Sequence, residues 1–372
     1  MEKRRAIVSV INDLYSDRRV DKTCRLLAEK GFDVVLLGRL LPGSPPMDAR
    51  PYHTHRFTMI FEEGILMYLE FQLRLLIWML THKGHLFWSN DLDTVLPAFL
   101  TGRLRKFPVI QDSHEYFTGA PELLPYPWKQ KVWKRLEQFC YPRVDELITV
   151  NESIARRFRS EYRRNVYVVR NIPDRIDITP MSRAEGGLPG EGAMLILQGA
   201  GINVDRGAEE LIEAMQYIDN AFLLILGDGD VIPQLKKRVK QLKLRQRVIF
   251  KGRMEYRHMM QYTRLADLGF SLDKPISENY ILSLPNKVFD YIHAATPLIV
   301  SAIPEVMQLV RHYDIGDIVE NHQPEIIAQT IQQALSNKER YQQWQNNLTF
   351  AAKELQWKQE KKVLEERISQ YV

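Results

Sequence analysis

A segment in the second half of the chain combines residue types that suit a phosphate and a sugar. It spans residues 279–297, NYILSLPNKVFDYIHAATP, and apolar runs precede and follow it. Its Pro-Asn-Lys turn is expected to open a helix that carries Lys287 and, one turn later, Asp290. Unpaired N–H groups at a helix start suit an anion, and a lysine there adds a positive charge. Because the aspartate can accept hydrogen bonds from sugar hydroxyls, the spacing predicts a nucleotide-sugar site.

A glycine-rich stretch, QGAGINVDRG at 198–207, indicates a second part of this site. Glycines after a strand let the backbone approach a ligand closely, so Gly201 and Asn203 are predicted to lie beside it. Arg206 stands at the entrance of the next helix, where a guanidinium can hold a diphosphate through two hydrogen bonds. For this stretch alone, a tight turn with a solvated arginine stays an equal alternative.

Two further loops carry glycines at the ends of predicted strands. Gly227 and Gly229 belong to a GDGD turn, and Gly252 belongs to a Lys-Gly-Arg turn. Backbone groups in these turns can face a ligand or read the edge of a base. Ordinary strand-to-helix turns explain the same glycines equally well.

The first half of the chain offers polar side chains for a sugar. His114 lies between acids in QDSHE, 111–115, at the end of a predicted strand, where a histidine is a candidate anchor. Asp112 and Glu115 either share that task or orient the loop. Asp17 is expected to cap the first helix. Asn12 and Asp13 lie after the first predicted strand, and Arg18 and Arg19 are predicted to face either a cleft or solvent.

Alternating strands and helices would position these groups, and the apolar pattern predicts them. In the first half, apolar runs typical of buried strands lie at 6–11, 34–37, 86–88, 109–111, 147–150 and 166–169. In the second half they lie at 195–198, 222–226, 248–250, 268–272, 298–300 and 317–319. Amphipathic segments separate them, which predicts parallel sheets with helices on both faces.

The fold class predicted is α/β, with two Rossmann-like, doubly wound parallel-sheet domains facing a cleft. Residues 1–172 form the first domain and residues 193–347 the second. Between them, 173–192 is rich in proline and glycine and is interpreted as a linker.

Residues 61–80, FEEGILMYLEFQLRLLIWML, are the most apolar helix candidate. The charged residues Glu62, Glu63, Glu70 and Arg74 make this segment a poor membrane span. A buried or partly buried core helix is favoured, and a surface that touches lipid or a lipid-linked substrate is the alternative.

Composition limits the class of protein. The 372 residues are 45% hydrophobic and 26% charged, as in soluble two-domain proteins. Two cysteines give no disulfide framework and no metal-ligand spacing, so a cytoplasmic location and no metal are expected. Basic clusters behind the net charge of +5 can favour an anionic membrane surface, but no nucleic-acid-binding module accompanies them. The N-terminus is interpreted as a first strand and not as a signal peptide.

Taken together, the motifs resemble those of the retaining glycosyltransferases of the GT-B fold, specifically glycosyltransferase family four. The resemblance rests on a D-S-H-E-x-F-T motif at 112–118 and an S-L-P-N-K-x-F-[DE]-Y-I motif at 283–292, and it covers nearly the whole chain. It implies that the second domain binds a nucleotide-sugar donor and the first binds the acceptor. It also implies that a terminal helix, 348–372, packs back on the first domain.

The resemblance further implies roles for single residues. The catalytic candidates are His114, beside the transferred sugar, and Arg206 and Lys287, at the diphosphate. Asp290 takes the place of the second acid of an E-x7-E motif, near the ribose. The donor-binding candidates are Gly201, Asn203, Arg206, Gly227, Gly229, Gly252, Asn279, Asn286, Lys287 and Asp290. The acceptor-side candidates are Asn12, Asp13, Arg18, Asp112 and Glu115.

The activity implied is transfer of a sugar from a nucleotide-diphosphate donor to a hydroxyl of a glycan or lipid-linked acceptor. Transfer would retain the anomeric configuration and need no metal or other cofactor, in the cytoplasm or at the inner membrane surface. Three departures from the family pattern stand out. Leu282 lies eight residues before Asp290 in place of the first acid, and Gly201 stands where many relatives carry arginine. The loop after the first strand holds residues 17–19, Asp-Arg-Arg, in place of the usual glycine pair. The missing first acid leaves open a non-catalytic partner that binds a sugar nucleotide or glycan. A sugar-nucleotide epimerase of the same fold is a third alternative, which would need additional acids and histidines in the cleft.

Overall fold

The chain divides into two compact units, each built on a parallel sheet. The computed structural model describes residues 4–15 and 17–372. One unit comprises residues 1–171 and 360–372, and the other comprises residues 172–359. Residues 1–3 and 16, which belong to the predicted first domain, lie outside the described residues.

The first unit holds a seven-stranded sheet. Its elements are β1 (Arg5–Asp13), α1 (Arg18–Glu29), β2 (Asp33–Leu40), β3 (His53–Thr58), α2 (Gly64–Thr81), β4 (Leu86–Asn90), α3 (Val95–Arg105), β5 (Val109–Ser113), α4 (Pro127–Cys140), β6 (Glu146–Thr149), α5 (Glu152–Tyr162) and β7 (Tyr167–Val168). The strand order is β3-β2-β1-β4-β5-β6-β7, and the described pairs are parallel.

The second unit holds a six-stranded sheet. Its elements are β8 (Ala193–Gly199), α6 (Ala208–Ala214), β9 (Ala221–Gly227), α7 (Ile232–Gln241), β10 (Val248–Phe250), α8 (Tyr256–Leu265), β11 (Leu268–Ser271), α9 (Glu278–Ile281), α10 (Lys287–Ala294), β12 (Leu298–Ser301), α11 (Pro304–Tyr313), β13 (Gly316–Val319), α12 (Pro324–Ser336) and α13 (Lys338–Glu354). The order is β10-β9-β8-β11-β12-β13, again with parallel pairs. A last helix, α14 (Trp357–Ile368), begins here and ends in the first unit.

Both sheets reverse their strand order at one point, and that point positions polar loops. The reversal falls between β1 and β4 in the first unit and between β8 and β11 in the second. In open α/β sheets, ligands bind outside the carboxyl ends of the strands at such a point. The loops after these four strands are therefore where a site is expected in each unit.

Every predicted strand is present, but the sequence pattern missed β3. Its residues, HTHRFT, alternate without an apolar run, and only Phe57 among them is buried. β3 lies at the edge of the sheet, where one side of the strand meets solvent. An edge strand needs few apolar residues, so the search for buried runs could not find it.

Residues 173–192, interpreted as a linker, belong to the second unit instead. Leu188 is buried in that unit's core, and Ile172, just before the segment, is buried there too. The Tyr262 hydroxyl donates a hydrogen bond to the Gly186 carbonyl, and Arg183 pairs with Asp267. These contacts fix the segment on one unit, although its proline and glycine content is that of a linker.

The predicted terminal helix, 348–372, is two helices rather than one. α13 runs through Glu354, and its Leu348 and Ala351 are buried in the core of the second unit. Only residues from Glu360 onwards belong to the first unit. There Glu360 accepts hydrogen bonds from the backbone N–H and the guanidinium of Arg170.

Candidate functional site

Two cations of the second unit meet at one carboxylate. Arg206 Nη1 lies 2.8 Å from Asp273 Oδ1, and Lys287 Nζ lies 3.5 Å from Asp273 Oδ2. The carboxylate also accepts a hydrogen bond from the Ser271 hydroxyl at 3.2 Å and is almost completely buried. Arg206 follows β8 and Asp273 follows β11, so the pair lies at the strand-order reversal. Sequence analysis selected Arg206 and Lys287 and missed Asp273, which joins them.

A close backbone approach brings Arg206 to this position. Gly207 has a φ of +75°, and a Cβ there would lie 2.4 Å from the Leu272 carbonyl oxygen. A side chain at residue 207 would therefore separate the loop after β8 from the loop after β11. The same two loops are joined by a backbone hydrogen bond from Lys274 to Asp205.

The charges in this group influence one another. Burial opposes ionisation of Asp273, but Lys287 and Arg206 outweigh it and lower the pKa of the carboxyl. Burial lowers the pKa of Lys287, and the nearby Arg206 adds to that effect while Asp273 opposes it. The guanidinium also lies over the Tyr280 ring, 4.5 Å from its centroid. Among the described residues, Arg206 Nε is a buried donor without an acceptor.

The glycine turns form a compact ledge beside this group. Gly227 and Gly199 are paired across β9 and β8, and a Cβ at Gly227 would lie 1.8 Å from the Gly199 carbonyl oxygen. Gly227 N donates to the Gly252 carbonyl, and Ile202 N donates to the Asp228 carbonyl. Three consecutive loops are thus joined through backbone atoms, and the close approach at Gly227 requires a glycine there.

The other donor-side candidates have different surroundings. Asp290 accepts hydrogen bonds from the Tyr256 hydroxyl at 2.8 Å and from Gln198 Nε2 at 3.3 Å. Asn203 Oδ1 accepts from the backbone N–H of Asp230, and Gly201 lies beside Asn203. Asn286 is the exposed N-cap residue of α10, whereas Asn279 is buried within α9.

A second polar group lies at the strand-order reversal of the first unit, around His114. His114 Nδ1 is 3.3 Å from Asp91 Oδ2, and Nε2 is 3.1 Å from Asn90 Oδ1 and 3.5 Å from Asp112 Oδ2. Asn90 donates its own N–H to the Ser9 carbonyl, so its oxygen faces the histidine. Both ring nitrogens therefore face acceptors, and the ring satisfies them only as an imidazolium. Burial opposes that charge, but Asp91 and Asp112 raise the pKa of His114 to about 9.

Asp112 is held by an arginine that was expected to face a cleft or solvent. Arg19 is 3% exposed and donates to both oxygens of Asp112, at 2.7 and 3.0 Å. Its remaining terminal nitrogen donates to the Val169 carbonyl at 2.8 Å. Although burial favours the neutral acid, Arg19 and His114 lower the pKa of Asp112. The neighbouring Arg18 is exposed, so only one of the two adjacent arginines enters the core.

The remaining acceptor-side candidates lie in the loops around this group. Asp17 caps α1 as predicted, accepting from the Val20 N–H, and Asn12 donates to its other oxygen. Asp13 accepts from the Ser44 hydroxyl at 2.5 Å and from the backbone N–H of Tyr15, so it joins its own loop to the segment after β2. Glu115 is half-buried, and its carbonyl accepts from the Ser113 hydroxyl.

Sequence reasoning missed three acids or bases of these two groups. Asp273 directly follows the strand-forming run 268–272, and Asp91 directly follows β4. A rule that inspects the first polar residue after every predicted strand would have found Asp273. It would have missed Asp91, because Ser89 and Asn90 stand between that residue and the predicted run 86–88. Arg19 carried no such signal, because its sequence neighbours do not distinguish it from Arg18.

Comparison with known proteins shows the family to which the two units belong. A family model described as glycosyl transferases group 1 matches residues 182–349, and a glycosyl transferase 4-like domain matches residues 16–171. The chain belongs to these glycosyltransferases. The resemblance to glycosyltransferase family four of the GT-B fold is thereby confirmed, and so is the two-domain α/β fold.

Individual relatives are distant. The lipopolysaccharide core biosynthesis glycosyltransferase LpsD of Rhizobium meliloti is 27% identical over 113 residues, which are 30% of this chain and 33% of that protein. Sucrose-phosphate synthase from Thermosynechococcus elongatus is 16% identical with a TM-score of 0.81, over 99% of both chains. Anabaena HepE in complex with UDP and glucose is 13% identical with a TM-score of 0.75, over 99% of this chain and 100% of that chain. The match thus spans about a third of the length of the curated relatives that the chain resembles.

Proposed function

We propose that this glycosyltransferase moves a sugar from a nucleotide-diphosphate donor to a hydroxyl of a glycan or lipid-linked acceptor, with retention of the anomeric configuration. The observation that carries the proposal is the meeting of Arg206 and Lys287, from separate segments, at the buried Asp273. Two cations side by side suit the two phosphates of such a donor. The relatives LpsD, of lipopolysaccharide core biosynthesis, and HepE, solved with UDP and glucose, support a cell-envelope glycan and a uridine nucleotide as first trials.

The chemistry breaks the bond between the anomeric carbon and the diphosphate oxygen and forms one from that carbon to the acceptor oxygen. Negative charge therefore develops on the departing diphosphate, and fixed cations beside it lower the barrier. Arg206 and Lys287 would supply that charge, and the glycine ledge would let backbone N–H groups approach the phosphates. The acceptor's proton would pass to the leaving phosphate oxygen, so that no separate base is needed.

His114 would act on the acceptor side as a fixed positive group. As an imidazolium bonded to Asp91 and Asp112, it has no free lone pair with which to accept a proton. We therefore assign it to orienting polar loop groups near the transferred sugar, and not to general-base catalysis. Asp112 and Arg19 would keep the ring in place.

Metal independence is part of the proposal, and so is a cytoplasmic location with peripheral membrane contact. The proposal expects transfer to continue in EDTA, because the two cations take the place that a divalent ion would have at the diphosphate. A loss of transfer in EDTA that is restored by magnesium or manganese would contradict this part alone.

A second candidate, a non-catalytic partner that binds a sugar nucleotide, is favoured by one observation. Leu282 stands where the first acid of the E-x7-E pattern is expected, and it forms the end of α9. Release of nucleoside diphosphate from UDP-sugars by the purified protein, with or without an acceptor, would reject this candidate. Nucleotide binding without turnover across UDP-, GDP- and ADP-sugars would support it.

The phosphate assignment is tested by calorimetry with nucleoside diphosphates. Arg206→Gln and Lys287→Gln should each weaken binding about tenfold or more, because a charge-assisted hydrogen bond contributes roughly 1.5–3 kcal/mol. Arg238→Gln is the matched control, since this arginine is exposed in the same unit and pairs with Glu213. Unchanged affinity in both site variants, with melting temperatures near that of the wild type, would remove the assignment. Proton NMR of the product's anomeric signal tests retention.

A further inference from the structure

Helix α2 is apolar on both of its sides. Its inner side is buried through Met67, Phe71, Leu75 and Met79. Its outer side exposes a second stripe, Leu66, Leu69, Leu73 and Ile77, of which Leu69 is 60% and Leu73 57% exposed. In the described part of the chain, α2 alone is long and apolar enough to cross a membrane, and 22% of it is buried. A surface helix of a soluble protein normally presents polar residues on its outer side.

The two helices beside α2 extend this apolar surface. α2, α3 and α4 each connect to a strand further towards β7, so right-handed crossovers put all three on one face of the sheet. Tyr68 of α2 lies 5.2 Å from the ring of Trp133 of α4, and Phe99 of α3 lies 5.4 Å from Phe139 of α4. These neighbours add further exposed apolar side chains: Leu100, Leu104, Trp128, Val132 and Phe139. We call the exposed apolar residues of α2, α3 and α4 the outer face.

Positive charge collects where these helices end. Four exposed basic residues lie in the last turn of these helices or shortly after it: Lys83, Arg103, Lys106 and Arg143. The exposed Lys131 and Arg135 lie further back, within α4. A cavity of about 650 Å³ lies at this end, lined by Arg4, Arg103, Lys106 and Arg143 together with the single acid Asp145. The exposed acids Glu62 and Glu63 precede α2, at its opposite end.

The basic end is continuous with the outer face. Arg103 lies over the Phe99 ring at 5.6 Å, Phe99 contacts Phe139, and Arg143 lies over Phe139 at 5.2 Å. The cations at the mouth of the cavity thus rest on the same aromatic side chains that support the apolar surface. Apolar residues, an exposed tryptophan and a basic border are the composition of surfaces that lie in a membrane interface.

We propose that the outer face docks on an anionic lipid bilayer, with its aliphatic side chains in the interface and its basic end against lipid phosphates. Anionic lipids attract such clusters, and burial of the apolar side chains adds to the binding. The helix lies on the surface and does not span it, because its inner stripe is buried against the body of the first unit. The inference deepens the proposed membrane contact and rests on the proposed function only for its consequence, that the acceptor is carried by a lipid.

The test is sedimentation of the full chain with vesicles, without any donor. Wild type should pellet with vesicles of phosphatidylglycerol and phosphatidylethanolamine and much less with phosphatidylcholine alone. Leu73→Glu with Leu104→Glu should lower the partition at least about tenfold, because both side chains leave the interface. Phe350→Glu is the matched control, since Phe350 is a 56% exposed apolar residue on α13 of the second unit.

A charge pair completes the test. Arg103→Gln with Lys106→Gln should remove most of the preference for anionic lipid, whereas Lys237→Gln with Lys240→Gln, on exposed positions of α7, should not. Three outcomes would overturn the proposal. The first is that the wild-type protein stays in the supernatant, and the second is that it forms a dimer without lipid which the Leu73 and Leu104 substitutions dissociate. The third is that alkaline carbonate fails to release the protein from vesicles, as expected for a membrane-spanning helix. Nucleoside diphosphate binding measured on the same samples keeps a failure here distinct from a failure of the proposed function.

Discussion

Asp273 Oδ1 lies 2.8 Å from Arg206 Nη1, and this contact fixes the position of the guanidinium before any ligand is present. The second oxygen of the carboxylate faces Lys287, so one buried anion holds two cations of different segments. Because the cations are already oriented, a phosphate that binds them meets little reorganisation cost. Asp273 therefore belongs to the site as an internal counter-charge, although it would repel the same phosphate.

Asp273→Asn is expected to destabilise the protein and to increase its response to nucleotide. Loss of the anion leaves two neighbouring cations uncompensated, which should lower the free energy of unfolding by about 3 kcal/mol. A nucleoside diphosphate would replace the lost negative charge, so its stabilising effect should be larger in the variant than in wild type. Thermal denaturation with and without UDP measures both effects. If UDP raised the melting temperature of both proteins equally, Asp273 would not belong to the phosphate site.

The stabilisation that Asp273 provides should decrease as the pH falls. The folded pKa of Asp273 lies below its ordinary value, so its contribution is present above the unfolded pKa. That contribution is lost as pH falls through the folded pKa. The difference in stability between wild type and Asp273→Asn should therefore be largest near neutral pH and shrink in acid, as urea denaturation at several pH values can measure.

Arg19→Ala should be strongly destabilising, and Arg18→Ala should not. Removal of Arg19 leaves the completely buried Asp112 without its bidentate partner and the Val169 carbonyl without a donor. Breaking a buried ion pair on one side costs about 3–5 kcal/mol. The exposed Arg18 next to it provides the control, with an expected change within about 0.5 kcal/mol. Similar denaturation midpoints for the two variants would contradict the buried role assigned to Arg19.

His114 should make stability depend on pH on the alkaline side. Its folded pKa is about 9, above the ordinary value of 6.5, because Asp91 and Asp112 outweigh burial. The charged ring therefore stabilises the fold fully below the unfolded pKa, and this contribution is lost as pH rises through about 9. Its size is on the order of 3 kcal/mol. Urea denaturation of wild type and His114→Gln at pH 6 and pH 10 should give a difference that is present at the lower pH and nearly absent at the higher.

The sequence predicted the sheets well because buried parallel strands are continuous apolar runs. The run at 222–226 became β9, and the run at 298–300 became β12, with both strands in the interior of their sheet. β3 has no such run, since an edge strand keeps one side in solvent. The linker prediction at 173–192 was wrong for a related reason, because a few buried contacts, such as Leu188, fix a segment whose composition is that of a loop.

The site could be predicted only in part. Its oppositely charged residues are brought together by the tertiary structure, and their separation in the sequence does not indicate that they pair. Lys287 and Arg206 carry a local signal, a turn and a helix entrance, and both were selected. Asp273 is defined by its contact with them, and its own neighbours in sequence indicate only the end of a strand. The same holds around His114. The sequence indicated His114 itself, whereas Asp91 and Arg19 are recognised only from their contacts in the fold.

Gly201→Ala and Gly227→Ala should separate ligand contact from folding. Gly227 has a φ of +119°, and its Cβ would lie 1.8 Å from a backbone oxygen, so alanine there should cost more than about 2 kcal/mol of stability. The nearest atom to a Cβ at Gly201 is Asn203 Nδ2, a flexible side-chain atom at 3.5 Å, so alanine should change stability by less than about 0.5 kcal/mol. If the loop lies against the diphosphate, Gly201→Ala should nevertheless weaken nucleotide binding, because the added methyl group occupies the approach path. Calorimetry with UDP on the well-folded Gly201→Ala protein decides the point, and wild-type affinity would place the ligand away from this loop.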